Sequence, residues 1–259
     1  MSSFADRAVA GHAYDGTSAK ELCLRLRLPR VALFESVTST LDVAHRLADG
    51  GAPAGTLVLA DEQTAGRGRH GRSWRSESGA GIWSTLIERP RDRSALDVLS
   101  LRIGLAVAPV LDGFAGERVH LKWPNDLYVA AGKLAGVLIE ARWRDAALEW
   151  VAIGLGVNVR VPADTSLAAG LPRAVSRVDV LAAIVPAMRD AAQCMGALTR
   201  DELAAFAARD LALGRECVQP VEGQVIGIDS SGSLLVSVGG ERTAFRAGSL
   251  VLREAKGAS

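Results

Sequence analysis

Apolar and polar positions change rhythm along the chain in blocks whose boundaries can be read directly. Five helix starts are marked by Ser or Thr followed three residues later by an acid, because the hydroxyl accepts from a free amide of the first turn while the acid reaches back to the capping residue. The pairs are Ser18/Glu21, Ser39/Asp42, Ser94/Asp97, Ser176/Asp179 and Thr199/Glu202. Between them lie β-rich runs at 31–35, 56–60, 82–88, 119–123, 133–142 and 148–155, several close enough in sequence to pair as antiparallel hairpins. The pattern predicts an α+β domain, a mixed and largely antiparallel sheet with helices on one face. Past residue 214 only short strands remain, at 217–221, 224–228, 234–238, 242–245 and 250–252, with turns at Glu222-Gly223, Ser231-Gly232 and Gly239-Gly240. Short strands at that spacing predict a small β-barrel. The chain therefore divides into an arm with a short helix (1–30), a main domain (31–214) and a small terminal domain (215–259).

Charge and composition exclude several classes. Thirty Lys and Arg stand against 29 Asp and Glu, for a net charge of +1, with 49% hydrophobic and 23% charged residues; a disordered chain is excluded. A nucleic-acid-binding module acting through overall charge lacks the cationic excess it would need, so no DNA partner is expected. Cys23, Cys194 and Cys217 lie far apart, which suits a reducing cytoplasm better than a disulfide framework or a zinc site. The first twenty residues contain acids, unlike a signal peptide, and the most apolar stretch (98–111) is interrupted by Arg102 and Pro109. No membrane segment is expected.

Candidate chemistry gathers in three places. The first is the run from Gly66 to Trp74, which presents Arg67, Arg69 and Arg72 in about twenty residues without periodicity. It matches G-x-G-x-x-G, but the segment after it cannot open the helix that a dinucleotide fold requires. Guanidinium groups bind phosphate oxygens in pairs and Trp74 offers a face to a purine, so the strip suits a polyanion such as a triphosphate; the alternative is a solvated basic loop. The second is Lys122-Trp123-Pro124-Asn125-Asp126 followed by Gly132-Lys133. Only four of the thirty cations are lysines, and two fall in this hairpin, which points to a need for a compact ammonium. The third is Gly154-Leu155-Gly156-Val157-Asn158, where glycines allow close approach and Asn158 supplies a donor and an acceptor.

Taken in order, Gln63 with the G-R-G-R-x-G-R-x-W run, then K-W-P-N-D, G-K-L-A-G-V-L-I-E and G-L-G-V-N-V resemble the biotin–protein ligases over about residues 31 to 252. The resemblance implies a class II synthetase-like catalytic domain followed by an SH3-like barrel, and an enzyme that joins biotin and MgATP into biotinoyl-5′-AMP before passing biotin to one lysine of a biotin carboxyl carrier domain. It implies Lys133 and Arg69 as catalytic residues, with Ser39, Thr40, Gln63, Arg67, Gly68, Arg69, Lys133 and Gly136 around biotin. Arg67, Arg69, Arg72, Trp74, Lys122, Asn125, Asp126 and Asn158 would bind ATP or the adenylate, and Asp126 would hold Mg²⁺. Where the family commonly has Ser-Thr-Asn this chain has Ser39-Thr40-Leu41, which removes a polar side chain; Ser39 could serve as helix cap, as ligand contact, or as both. The loop 64–81 would fold over the labile adenylate. The short region before residue 31 leaves no room for a winged helix, so a monofunctional enzyme is expected. An exposed sheet edge could support a homodimer or dock the carrier. The rival inside the superfamily is a lipoate or octanoate ligase or transferase.

Overall fold

The computed structural model describes residues 12–90, 92–160, 168–172 and 174–253. A hairpin of β1 (Ala13–Tyr14) and β2 (Thr17–Ser18) leads into α1 (Ala19–Leu26), where Ser18 and Glu21 form the expected reciprocal cap. There follow β3 (Arg30–Val37), α2 (Thr40–Asp49), β4 (Thr56–Gln63), β5 (Gly81–Glu88), α3 (Leu96–Ala115), β6 (His120–Lys122), β7 (Asp126–Val129), β8 (Gly132–Arg144) and β9 (Ala147–Asn158). Then come α4 (Arg177–Gln193) and α5 (Arg200–Ala207), and five strands: β10 (Glu216–Gln219), β11 (Gly223–Ile228), β12 (Leu234–Val238), β13 (Glu241–Phe245) and β14 (Val251–Leu252).

The main sheet has seven strands in the order β3-β4-β5-β9-β8-β7-β6. Only β3 and β4 run parallel, because α2 carries the chain back between them as a crossover; the other neighbours are antiparallel. This is the mixed, largely antiparallel sheet that the sequence predicts. The helices, however, cover both faces rather than one. Leu57, Leu59, Ile82, Leu86, Val151 and Ile153 pack in one core with residues of α1, α3 and α4. On the other face Val58, Ala60, Ile87, Trp150 and Ala152 pack with Val43, Ala44 and Ala48 of α2. A strand apolar at every position from Leu57 to Ala60 needs a cover on each side.

A second departure concerns α3. The expected cap at Ser94 is displaced: Asp92 accepts from the Ser94 amide at 2.8 Å and hydroxyl at 2.6 Å, and from the Gly196 amide at 2.8 Å. Ser94 thus lies inside a 3-10 turn (Arg93–Ala95) preceding α3. The helix is long and apolar enough to cross a bilayer by composition, yet Val98, Leu99, Ile103, Val107 and Leu111 are buried in the core. It runs unbroken through Pro109, and buried Arg102 is neutralised by Glu202 at 2.6 Å and capped by the carbonyl of Ala197 at 2.9 Å.

The terminal sheet has the order β13-β12-β11-β10-β14. Its five strands are the short strands that the sequence predicts for a small β-barrel, and among the described residues no ladder joins the edges β13 and β14. The Leu121 amide donates to the Arg209 carbonyl and the Leu211 amide to the Leu121 carbonyl, each at 2.8 Å, so the entry to this sheet is stitched to β6. The Trp123 indole donates to the Gly232 carbonyl at 2.9 Å.

Candidate functional site

A cavity of about 360 Å³ lies where the start of α2, the end of β4, the 64–81 loop and the β6–β8 hairpins meet. Thirteen of the fourteen candidate residues line it: Ser39, Thr40, Gln63, Arg67, Gly68, Arg69, Arg72, Trp74, Lys122, Asn125, Asp126, Lys133 and Gly136.

One end is polar but uncharged. The Ser39 hydroxyl accepts from the Leu41 amide at 3.3 Å and so caps α2, leaving its own proton free to donate. The Gln63 carbonyl oxygen accepts from the Thr40 amide at 2.9 Å and hydroxyl at 3.1 Å, while its amide donates to the Ser76 hydroxyl at 2.7 Å. The Thr85 hydroxyl donates to Thr40 Oγ1 at 2.8 Å. Each side chain is thereby locked by its neighbours, the condition for a precise ligand geometry. Sequence reasoning passed over Ser76, Ser84 and Thr85, although two polar residues inside the apolar strand 82–87 are themselves a clue.

The Gly/Arg loop is a folded flap. The Trp74 amide donates to the Gly66 carbonyl at 2.8 Å, the Gly68 amide to Arg72 at 2.7 Å and the Arg72 amide to Arg69 at 3.2 Å. Gly66 is obligatory here, since a Cβ would lie 2.3 Å from the Trp74 carbonyl oxygen. The Trp74 ring rests on a floor made by Gly136 and Gly156, which are opposed on β8 and β9; a Cβ on Gly156 would meet the indole at 2.7 Å. Leu41 takes the place of a polar neighbour and faces Gly154, where a Cβ would sit 3.4 Å from its methyl carbons.

The opposite end is cationic. Lys133 Nζ lies 2.7 Å from Asp126 Oδ1 and 4.9 Å from the centre of the Trp74 ring. Lys122 lies 5.5 Å from the centre of the Tyr128 ring. Burial, reinforced by Lys133, Arg215 and Arg72, moves the Lys122 ammonium below the usual lysine range although Asp126 pulls the other way. Burial likewise lowers Arg69, with Arg72 adding to it, and pushes the Tyr128 hydroxyl up to about 12. Among the described residues neither Lys122 nor Arg69 has a carboxylate at ion-pair distance, and Arg72 reaches the Ser249 hydroxyl at 3.3 Å. Crowded cations with one carboxylate between them form a receptor for anions.

Two candidates also serve as braces in the structure. Asn158 is off the cavity lining; it is buried, and its amide donates to the Lys133 carbonyl at 3.1 Å, so it braces the lysine from behind. Asn125 lines the cavity but spends its amide on the Val137 carbonyl at 2.7 Å. Residues 248–251 also contribute to the wall, a contribution that no local pattern announces.

With this geometry in hand, the comparisons are specific. The sequence profile of the Biotin/lipoate A/B protein ligase family matches residues 33–158. The Bifunctional ligase/repressor BirA of Bacillus spizizenii is 42% identical over 129 residues, covering 49% of this chain and 40% of that protein, so the chain spans well under half of that relative's length. The Biotin--[acetyl-CoA-carboxylase] ligase of Mycobacterium tuberculosis is 35% identical over 237 residues, covering 83% of this chain and 85% of that protein. In structure, the biotin protein ligase from Aquifex aeolicus, solved in complex with biotin and ATP, superposes with a TM-score of 0.73 at 24% identity, over 88% of this chain and 100% of that one, and shares the fold. The chain belongs to the biotin–protein ligases of the biotin/lipoate A/B protein ligase family.

Proposed function

We propose that this protein is an ATP-dependent biotin–protein ligase that makes biotinoyl-5′-AMP and then transfers biotin to a lysine of a biotin carboxyl carrier domain. The observation that carries this reading is one cavity with a neutral hydrogen-bonding end, at Ser39, Thr40 and Gln63, and a cationic end, at Arg69, Arg72, Lys122 and Lys133. A cyclic urea matches the first and a polyphosphate the second, and a carboxylate on a short apolar tail spans them.

In the first step a biotin carboxylate oxygen forms a bond to the α-phosphorus of ATP, and the bond to the β-phosphate bridge breaks with pyrophosphate leaving. Two anions must meet, so the barrier is mainly electrostatic. Lys133 would neutralise charge at the acid–phosphate junction, and Arg69 would assist at the same phosphate, both from the cavity lining. Lys133 first has to exchange Asp126 for the substrate, which frees the one carboxylate on the cavity wall. A single carboxylate fits Mg²⁺ carried in with the nucleotide, which binds through one or two carboxylates plus substrate phosphates. Bound so, the ion would screen the phosphates.

In the second step the carrier lysine, as a free amine, attacks the acyl carbon; an amide forms, AMP leaves with the bonding pair, and the amine gives up a proton. Between the steps the mixed anhydride must be kept from water, the task we assign to the 64–81 flap, with the segment 248–251 leading into β14 as the far wall. The small sheet would correspond to the SH3-like domain of the family. Labelled pyrophosphate exchange into ATP tests the reading, with biotin, lipoate and octanoate in parallel. Exchange with biotin alone is expected; exchange with lipoate or octanoate instead moves the assignment to the sister activity, and none with any acid overturns it.

A further inference from the structure

Within Gly66-Arg67-Gly68 only Arg67 has a side chain, so it is the only handle by which the rest of the protein can grip the leading edge of the flap. That handle is held. The Arg67 guanidinium lies 2.9 Å from Asp42 Oδ1 on α2 and 3.1 Å from Glu140 Oε2 on β8. The pairing is about half shielded, with 41% exposure for Arg67 and 30% for Glu140.

Glu140 is itself oriented from behind. Trp150 Nε1 is 3.0 Å from His45 Nδ1, and an indole N–H can only donate, so Nδ1 is the acceptor. The imidazole is then neutral with its proton on Nε2, which donates to Glu140 Oε2 at 2.9 Å. The His45 bond and the Arg67 charge together hold the Glu140 carboxyl below its ordinary range against the opposing effect of burial. Asp42, which the sequence pattern offers as a reciprocal cap for Ser39, faces Arg67 and accepts from the Thr38 hydroxyl at 3.4 Å instead. Two elements thus grip the flap's guanidinium, α2 through Asp42 and β8 through Glu140, and α2 and β9 back Glu140 through His45 and Trp150. None of Asp42, His45, Glu140 and Trp150 lines the ligand cavity. The same α2 carries Ser39 and Thr40 at that cavity, so the clamp ties the flap to the element that holds the polar end.

We propose that Glu140, supported by His45 and Trp150 and joined by Asp42, is a positioning residue that fixes the flap's leading edge over the biotin end through Arg67. The clamp governs how tightly biotin and its adenylate are enclosed, and contributes little to the phosphoryl step itself. This rests on the ligase reading, but its structural half stands without it.

The decisive variant is Glu140→Gln, nearly isosteric and still able to accept from His45. Two measurements are made on the intact protein. Hydrogen exchange of the 66–74 amides needs no activity: faster exchange confined to the flap is expected, with unchanged protection in α2 and β9. In enzyme assays the KM for biotin and the AMP released without acceptor should each rise about tenfold while kcat for pyrophosphate exchange stays within about twofold, the kind of change that loss of a partly shielded charge pair gives. Glu140→Asp should recover part of the effect, and adding Asp42→Asn to Glu140→Gln should speed flap exchange further, since Arg67 then loses both carboxylates. Wild-type exchange rates in the flap, or a fall in kcat with KM unchanged, would overturn the proposal. A wild-type protein inactive with biotin would sink the ligase reading instead, and the hydrogen-exchange result would still decide the clamp.

Discussion

The two ends of the cavity are built on opposite principles. At the Ser39–Thr40–Gln63 end the side chains are fixed by their neighbours before any ligand arrives, Thr40 and Gln63 through Thr85 and Ser76 and Ser39 through the Leu41 amide, with the Ser39 proton left to donate. At the Lys122–Lys133–Arg69 end the cations outnumber the one carboxylate, Asp126, which is paired with Lys133, and burial lowers Arg69 and Lys122 below their usual ranges. A neutral ring can be recognised by a rigid template, because its hydrogen bonds change little during reaction. A phosphate that accumulates charge needs a field already in place, and a surplus of cations is such a field at the expense of folded-state stability. The first end should therefore govern affinity and the second rate.

The sharpest way to break that contrast is Lys133→Ala. Removing the ammonium nearest the junction should slow adenylate formation by about two orders of magnitude or more, measured as pyrophosphate exchange at saturating biotin. Lys133→Arg should not restore it: a planar fork does not reproduce the compact ammonium held 2.7 Å from Asp126 and 4.9 Å from the centre of the Trp74 ring. Activity within tenfold of wild type in Lys133→Ala would place the rate-determining charge elsewhere.

At the template end the counterpart is Gln63→Ala. It strips Thr40 and Ser76 of their partner at once, a loss of about 1–3 kcal/mol for buried polar groups left unmatched. Biotin KM should rise by roughly ten- to a hundredfold, with kcat changed far less and with a lower melting temperature, since the same bonds tie α2 to β4. A variant that loses kcat while keeping KM would erase the distinction between the two ends.

Much of this arrangement was legible beforehand, and the failures share a cause. The caps at Ser18 and Thr199 form as read because each needs only three residues of context. Ser94 fails because Asp92 and Gly196, the latter distant in sequence, compete for the turn. Asp42 fails in the same way: its local role as a cap partner loses to Arg67. The order of glycine and cation motifs pointed to the cavity because glycines record where Trp74 must touch backbone, at Gly136 and Gly156. Ser84 and Thr85 were hidden by the apolar strand around them, and the position of Asn158 behind Lys133, off the cavity lining, is not announced by its motif, because a buried donor and a binding donor are written with the same letter. The two-sided cover of the sheet was present in 57–60, a run apolar on both parities.

The smallest predicted effect is a proton. Lys122 is charged in a partly dehydrated place among other cations, so its folded-state value lies below the ordinary 10.5. The sign of the linkage follows: below the depressed value the charge opposes folding, and the opposition is relieved as pH rises through it and the amine becomes neutral. A polyphosphate brought alongside reverses the balance and returns the ammonium toward its usual range. Binding in alkaline buffer, at a pH between the depressed value and 10.5, should therefore take up a fraction of a proton, and affinity for ATP should fall as pH rises there. Calorimetry in two buffers of different ionisation enthalpy reads this directly. Lys122→Met should abolish the uptake, bind ATP more weakly at neutral pH, and leave biotin binding untouched, since the polar end takes nothing from this lysine. Equal proton uptake in wild type and variant would mean that the cationic end is already neutralised by the protein itself, and the contrast between a matched and an unmatched end would fail at the residue where it is most measurable.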